Sequence, residues 1–239
     1  MLLLATAPAL ASDPCFAFAT PWEAMQTWNV LRQSQERAPD SGFPGEAAHA
    51  LLLANESRCA IASGDTTTWD CTSEVDGVDA AGSRTTVIGD GETLTTWDGF
   101  TVGLEGDAIF ASFDAYSHYR YLIPDRESLQ WTEEYTENGT LTWADGSSDA
   151  WSLKRNVDST LMYYSPADGR LRIDLDYTLG ACSLNGSYGN EFDGASAYAP
   201  MVDLESGGHR LQMGPGSDAC WGSYSYTSSV GNPYGFGAE

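Results

Sequence analysis

The residue of this sequence best placed to do chemistry is Glu133. It stands in the segment QWTEEYT, where Trp131, Glu133 and Tyr135 alternate with polar residues and therefore share one face of a predicted β-strand. A carboxylate among aromatic rings loses hydration, so Glu133 is a candidate acid or the polar anchor of a ligand cavity. The alternative is structural: Glu133 lies at the solvent-facing rim of the sheet or is bound by a tyrosine hydroxyl.

The predicted hairpins place further aromatic residues around this carboxylate. They put Glu133 beside Trp143 across one hairpin and near Tyr119 across the loop 124–128. The sequence therefore predicts a ligand-binding group on the apolar face of the sheet, with no catalytic residue assigned. Its members are Tyr119, Trp131, Glu133, Tyr135 and Trp143.

A second polar group, Asp114, His118 and Arg120, has the opposite parity in its strand. No serine or cysteine nucleophile within a catalytic motif accompanies it, and exposed sheet faces routinely carry such charges. The sequence also lacks a phosphate-binding loop, a Gly-x-Ser-x-Gly elbow and a His-Glu-x-x-His motif. We therefore expect no cofactor and favour a protein that is not an enzyme.

The charge balance limits the possible partners. The chain has 34 acidic and 11 basic residues, which gives a net charge of -23. Such a field repels phosphate backbones and anionic lipid head groups, which argues against nucleic acid and anionic membranes as partners. No segment after the N-terminus approaches the roughly 20 apolar residues of a membrane-spanning helix.

The first residues, MLLLATAPALAS, form a short apolar run that ends in Ala9-Leu10-Ala11. This small-x-small pattern is typical of a signal-peptidase site, although the basic segment that usually precedes the apolar run is missing. The sequence predicts a signal peptide over residues 1–11 and export to the periplasm, cell surface or extracellular space. A merely apolar N-terminus is the alternative.

The five cysteines fit an oxidising compartment. A three-residue turn centred on Asp65 would set Cys59 opposite Cys71, which predicts the first disulfide. Elimination then pairs Cys182 with Cys220 and leaves Cys15 unpaired, although a sequence alone does not fix connectivity. A metal site is the rival interpretation, but no Cys-x-x-Cys or paired His-Cys spacing occurs, so we predict no metal.

Helical signals are confined to the N-terminal quarter. Thr20, a proline at the next position and Glu23 form a capping box, which predicts a helix over about residues 22–37. The apolar residues at helical spacing that should face the core are Trp22, Met25, Trp28 and Leu31. Residues 46–54 fit a helix or a strand equally well.

The rest of the chain has the sequence pattern of β-hairpins. Three-residue units that end in Asp-Gly or Asn-Gly recur between segments in which apolar and polar residues alternate. Such units predict either two-residue turns or three-residue loops with a bulge. A two-residue turn at Asn138-Gly139 would set Tyr135 opposite Thr142, whereas three-residue loops keep apolar residues together. We therefore predict three-residue loops at 97–99, 137–139, 144–146 and 167–169; the last pairs Leu161 with Leu175 and Tyr163 with Ile173.

These loops assign each side chain of residues 129–154 to a face. The tryptophans share the inward face with leucines, so they are predicted to be core rather than a sugar-stacking platform. The inward face holds Leu129, Trp131, Tyr135, Leu141, Trp143, Trp151 and Leu153; the outward face holds Gln130, Thr132, Glu134, Thr136, Thr140, Thr142, Ser152 and Lys154.

The predicted fold is mainly β: an antiparallel meander of about ten to twelve strands that forms a curved open sheet or barrel, with one N-terminal helix packed against it. Residues 12–227 form a single domain and residues 228–239 a flexible glycine-rich tail. The leading functional hypothesis is an exported protein that binds an apolar or amphiphilic small molecule, or serves as a structural component of the envelope or surface. The alternative is a carbohydrate-binding or carbohydrate-active protein.

Overall fold

The structure of the protein, a computed structural model, describes residues 19–20, 22–24, 26–27, 31, 59–71, 80–103, 108–123, 128–162, 169–192, 199–214, 223–227 and 233–236. Side chains are described within these ranges except throughout residues 223–227 and 233–236 and near several other strand ends, Cys71 among them. The predicted signal peptide, Cys15, Cys220 and the unassigned segment 46–54 lie outside the described residues.

The described ranges contain thirteen strands. They are β1 (Ala60–Ser63), β2 (Thr66–Cys71), β3 (Ala80–Ile88), β4 (Glu92–Gly103), β5 (Ala108–Leu122), β6 (Ser128–Trp143), β7 (Ser148–Met162), β8 (Gly169–Leu179), β9 (Cys182–Phe192), β10 (Ala199–Ser206), β11 (His209–Gly214), β12 (Ser223–Thr227) and β13 (Pro233–Phe236).

Every strand pairs with its neighbours in the chain. All the pairings are antiparallel and the order runs from β1 to β13 without a crossover, so the predicted meander is confirmed as an open sheet. The described strands exceed the predicted maximum by one. The reason is that β13 falls within residues 228–239, where the sequence predicts a loose tail but the backbone pairs with β12.

The N-terminal helix begins at the predicted capping box. The Thr20 N–H donates to Glu23 Oε2 (2.9 Å), and the Glu23 N–H donates to Thr20 Oγ1 (3.2 Å). Ala24 and Leu31 join the core of the sheet, but Trp22 is 71% exposed, so its predicted place in the buried stripe is wrong. The buried stripe contains Ala24, so Trp22, two residues earlier, lies about 200° away around the helix.

One of the two loops predicted around β6 exists. The Trp143 N–H donates to Ser147 O (2.9 Å), which closes a three-residue loop at 144–146, as predicted. The loop at 137–139 is wrong, because β6 runs straight through it and pairs with β5 and β7 along its length. The physical reason is Gly139, which lies under the Trp151 ring: an added Cβ would come within 2.5 Å of that ring.

The predicted faces of residues 129–154 are nevertheless correct. A continuous strand and a three-residue loop both keep alternate residues on the same side, so the error in topology leaves the parity unchanged. Trp151 and Leu153 are buried, Trp131 and Trp143 pack against the core, and Thr132, Glu134, Thr140 and Lys154 are exposed on the other face.

Other predicted hairpins were bulges or had a different register. β4 continues through residues 97–99, where Gly99 has φ +61° and donates its N–H to Asp114 Oδ1 (2.7 Å). Across β7 and β8, Leu161 lies opposite Gly169 and Val157 opposite Ile173, so the predicted pairs Leu161–Leu175 and Tyr163–Ile173 are wrong.

The turn between β1 and β2 has two residues rather than three. Ser63 pairs with Thr66, and Gly64 supplies the positive φ (+61°) that a tight turn of this kind requires. Cys59 therefore does not lie directly opposite Cys71, and the geometric argument for that disulfide is wrong. The pairings Cys59–Cys71 and Cys182–Cys220 stay predictions, since the side chains of Cys71 and Cys220 are outside the described set.

Aromatic rings from successive strands form the centre of the core. Phe100 lies between Trp69 and Phe113, with ring centroids 6.3 and 5.6 Å away, and Phe113 lies 6.1 Å from Trp151. Phe100, Trp69 and Trp151 are almost completely buried. Trp151 is thus a core residue, as the sequence predicts.

Candidate ligand-binding site

Three aromatic side chains meet near the ends of β5 and β6, on the apolar face. Tyr121 lies opposite Trp131, and Tyr119 lies opposite Glu133. The Tyr119 ring is 5.7 Å from the Trp131 ring and 6.4 Å from the Tyr121 ring, tilted by 33° and 35°. We call Tyr119, Tyr121 and Trp131 the rim cluster. Its rings remain accessible, since Tyr121 is 46% exposed and the other two side chains are only partly buried.

Glu133 lies next to the rim cluster and is held by donors. Ser117 Oγ donates to Glu133 Oε1 (3.0 Å), and Arg155 Nη2 lies 3.8 Å from Glu133 Oε2. The side chain of Glu133 is 21% exposed and that of Arg155 is 20% exposed. The carboxylate is therefore compensated, yet it still reaches solvent beside the rings.

The pKa of Tyr119 is changed by this environment. Partial burial raises the pKa of the Tyr119 phenol, and the negative charge of Glu133 and the neighbouring Tyr121 raise it further. A raised pKa keeps the phenol protonated well above neutral pH, so Tyr119 presents a neutral hydroxyl to the site.

Tyr135 joins the site to the core. The Arg155 guanidinium lies 5.1 Å from the centre of the Tyr135 ring, and the Tyr135 hydroxyl donates to Glu137 Oε2 (2.6 Å). Tyr135 is only 7% exposed, so it supports the site from beneath and offers no surface to a ligand.

Glu137 is the polar residue that sequence reasoning missed. It is completely buried, and its carboxylate accepts hydrogen bonds from the Tyr135 hydroxyl and the Trp151 indole. The unit Glu137-Asn138-Gly139 predicts a turn that does not form. The available signal was parity, because Glu137 continues the inward series of Trp131, Glu133 and Tyr135.

Trp143 is not part of this group. It lies at the other end of β6, about 40 Å from Trp131 at roughly 3.3 Å per residue. Its indole donates to Asp149 Oδ2 (2.8 Å) beside the 144–146 loop. The predicted contact of Glu133 with Trp143 is wrong, because it required the absent hairpin at 137–139; β7 instead sets Val157 opposite Glu133.

The polar group on the opposite face divides into two parts. His118 Nε2 lies 3.1 Å from Glu92 Oε2 and from Arg120 Nε, and Arg120 and Glu92 are 61% and 53% exposed. Asp114 instead binds the backbone of Gly99 at the β4 bulge. These contacts stabilise the sheet surface and agree with the interpretation of this group as structural.

A shallow groove lies on the opposite face, across β8–β11, with a volume of about 440 Å³. Its charges pair with one another: Arg172 binds Asp174 (2.8 Å), and Arg210 binds Asp203 (2.6 Å). Arg210 donates its hydrogen bonds to the Asp203 carboxylate, and this contact lowers the pKa of Asp203 and raises that of Arg210. The groove is lined by Arg172, Asp174, Asn185, Gly186, Ser187, Asp203, Glu205 and Arg210.

Within the described ranges, no cluster of three or more His, Cys, Asp or Glu side chains could hold a metal ion. No helix in the described part of the chain is both long and apolar enough to cross a membrane. Comparison with protein-family models, curated proteins and solved structures finds no match.

Proposed function

We propose that this is an exported, non-enzymatic protein that binds an amphiphilic small molecule at the rim cluster and Glu133. The observation that carries the proposal is the contrast within one face of the sheet. The core around Phe100 and Trp151 is filled by its own side chains, whereas the rings of Tyr119, Tyr121 and Trp131 remain accessible.

The rim cluster supplies the two kinds of contact that an amphiphile needs. Three adjoining rings offer an apolar surface, and Glu133, Ser117 and the Tyr119 hydroxyl offer polar groups beside it. Binding sites for small molecules combine such apolar walls with a few placed polar groups.

Further apolar surface adjoins the cluster. The Tyr121 N–H donates to Gly91 O (2.9 Å), which fixes the β3–β4 turn against the end of β5. Near this junction Ile88 is 79% exposed and Ile123 is 59% exposed. An alkyl chain bound on the rings can extend over this surface, and its burial contributes about 0.8 kcal/mol per methylene.

A carbohydrate is the second candidate ligand, because partly exposed Tyr and Trp rings also stack on sugars. Hydrolysis of that sugar is disfavoured by the spacing on β6. Glu133 and Glu137 face the same side, but four residues of strand separate them by about 13 Å, beyond the roughly 5–9.5 Å of paired glycosidase carboxylates. A purely structural role in the envelope or surface remains the alternative in which the rim binds nothing.

The experiment is a titration with N-phenyl-1-naphthylamine, a neutral amphiphile that fluoresces in apolar sites. Two variants, Trp131→Ala and Trp143→Ala, each remove a partly buried tryptophan of the same strand, but only Trp131 lies in the rim cluster. We expect Trp131→Ala to weaken binding about ten-fold, the loss of roughly 1.4 kcal/mol of ring contact, and Trp143→Ala to leave it unchanged.

Three outcomes decide between the candidates. Displacement of the probe by dodecyl maltoside but not by maltohexaose supports an amphiphile, and displacement by maltohexaose supports the carbohydrate. Failure of the wild-type protein to bind the probe and maltohexaose, or equal weakening by both tryptophan variants, would refute a ligand site at the rim.

A further inference from the structure

We infer that the rim cluster and Glu133 recognise a quaternary ammonium group, such as the trimethylammonium head of a choline-like ligand. This inference rests on the proposed function, because it specifies the polar end of the proposed amphiphile. It depends on the juxtaposition of three accessible aromatic rings with one carboxylate at the edge of a strongly acidic protein.

The rings provide the first part of such a site. The faces of Tyr and Trp rings carry negative electrostatic potential and attract cations within about 6 Å. Tyr119 is the central ring, with the centroids of Trp131 and Tyr121 at 5.7 and 6.4 Å. Because the neighbouring centroids are this close, one methylated ammonium can touch more than one ring.

The carboxylate provides the second part. Glu133 lies directly opposite Tyr119, and its negative charge contributes to the raised pKa of that phenol. Glu133 therefore contributes negative potential at the Tyr119 ring. A quaternary ammonium has no N–H to donate, so it gains from this field without competing for the hydrogen bond that Glu133 accepts from Ser117.

Arg155 does not fill the same role. Its guanidinium lies over the ring of Tyr135, the next residue of β6 on the same face as Glu133. Arg155 Nη2 also lies 3.8 Å from Glu133 Oε2. The pair leaves the rim rings accessible, and a ligand cation would lie on the other side of the carboxylate from Arg155. The net charge of -23 also favours a cationic ligand over a neutral sugar and repels an anionic ligand.

The experiment compares choline with its neutral isostere 3,3-dimethylbutan-1-ol, in which carbon replaces the ammonium nitrogen. Both are titrated into the full-length protein at low ionic strength and followed by tryptophan fluorescence. We expect choline to bind about five-fold or more tightly, since cation–π and ion-pair contacts together exceed roughly 1 kcal/mol at a partly exposed site.

Two variants identify the source of the preference. Glu133→Gln removes the charge and Tyr121→Leu removes one ring while keeping apolar area; each should reduce the preference for choline by roughly two- to five-fold. Trp143→Phe, at the far end of β6, is the matched control and should retain the full preference. Binding of 3,3-dimethylbutan-1-ol by each variant shows that the site is still folded.

The outcomes separate this inference from the proposed function. Equal affinity for choline and its isostere, or a preference for choline that both variants retain, overturns the ammonium inference; bound N-phenyl-1-naphthylamine would then leave the proposed function intact. The trimethylammonium group could belong to a free solute or to a lipid head group. Co-sedimentation with vesicles of phosphatidylcholine but not of phosphatidylglycerol assigns it to the lipid, and choline binding without co-sedimentation assigns it to a solute.

Discussion

Replacement of Glu137 by glutamine tests how the site is supported from beneath. The buried carboxyl group accepts from the Tyr135 hydroxyl and the Trp151 indole, and a buried donor that loses its partner costs about 1–3 kcal/mol. Glutamine keeps one acceptor oxygen but turns an NH₂ group toward the second donor. At least one buried donor then loses its partner, so we expect Glu137→Gln to reduce the free energy of unfolding by about 2–3 kcal/mol.

The assay is urea denaturation followed by tryptophan fluorescence. Glu134→Gln is the matched control, since Glu134 lies on the same strand, is exposed and points to the other face. We expect it to change the free energy of unfolding by no more than about 0.5 kcal/mol. A double-mutant cycle with Tyr135→Phe should show coupling of about 1 kcal/mol, because both changes remove the same hydrogen bond.

Two results would contradict this role of Glu137: a Glu137→Gln protein as stable as the Glu134→Gln control, or additive effects of Glu137→Gln and Tyr135→Phe. Either result would mean that the buried carboxylate does not hold Tyr135 in place. Tyr135 in turn lies beneath Arg155, the ion-pair partner of Glu133, so the account of how Glu133 is positioned would fail with it.

Two further predictions concern other parts of the sheet. Gly139→Ala should destabilise the protein by about 1–3 kcal/mol in the same urea assay, because the added methyl would meet the Ser112 carbonyl and the Trp151 ring. Gly214→Ala is the control, since its methyl would meet nothing within 4 Å. Equal effects of the two substitutions would contradict the close packing around Gly139. Arg210 is the main cause of the lowered pKa of Asp203. This pair therefore stabilises the fold fully above about pH 4, the pKa of an aspartate in the unfolded chain. The contribution is lost as the pH falls through the lower pKa of Asp203 in the folded protein. Asp203→Asn and Arg210→Gln should each flatten the acid limb of the stability profile, and an unchanged limb in both would contradict the pairing.

The faces of the sheet were predictable because they depend only on parity. Leu141 and Trp151 alternate with polar residues, and this alternation is preserved whether residues 137–139 form a loop or continue a strand. The capping box at Thr20 was predictable for a similar reason, since it is a local pattern that needs no distant partner.

The positions of the turns were harder to predict. Asn138-Gly139 has the sequence of a turn, yet its glycine is used so that the Trp151 ring can lie across the strand. That requirement comes from β7 and is invisible in the local sequence. Because of the same error, Glu137 was missed and Trp143 was wrongly included in the candidate site. Tyr119 and Glu133 were correctly predicted to be neighbours, because the loop between β5 and β6 has the predicted parity.

Binding at the rim cluster should be visible in the indole N–H signals of an NMR spectrum of protein labelled with ¹⁵N at tryptophan. Addition of choline should shift the Trp131 signal and leave the signals of Trp143 and Trp151 in place, with each signal assigned by a Trp→Phe variant. A spectrum in which Trp131 stays fixed under choline and under N-phenyl-1-naphthylamine, or in which all three signals move equally, would contradict binding at the rim cluster.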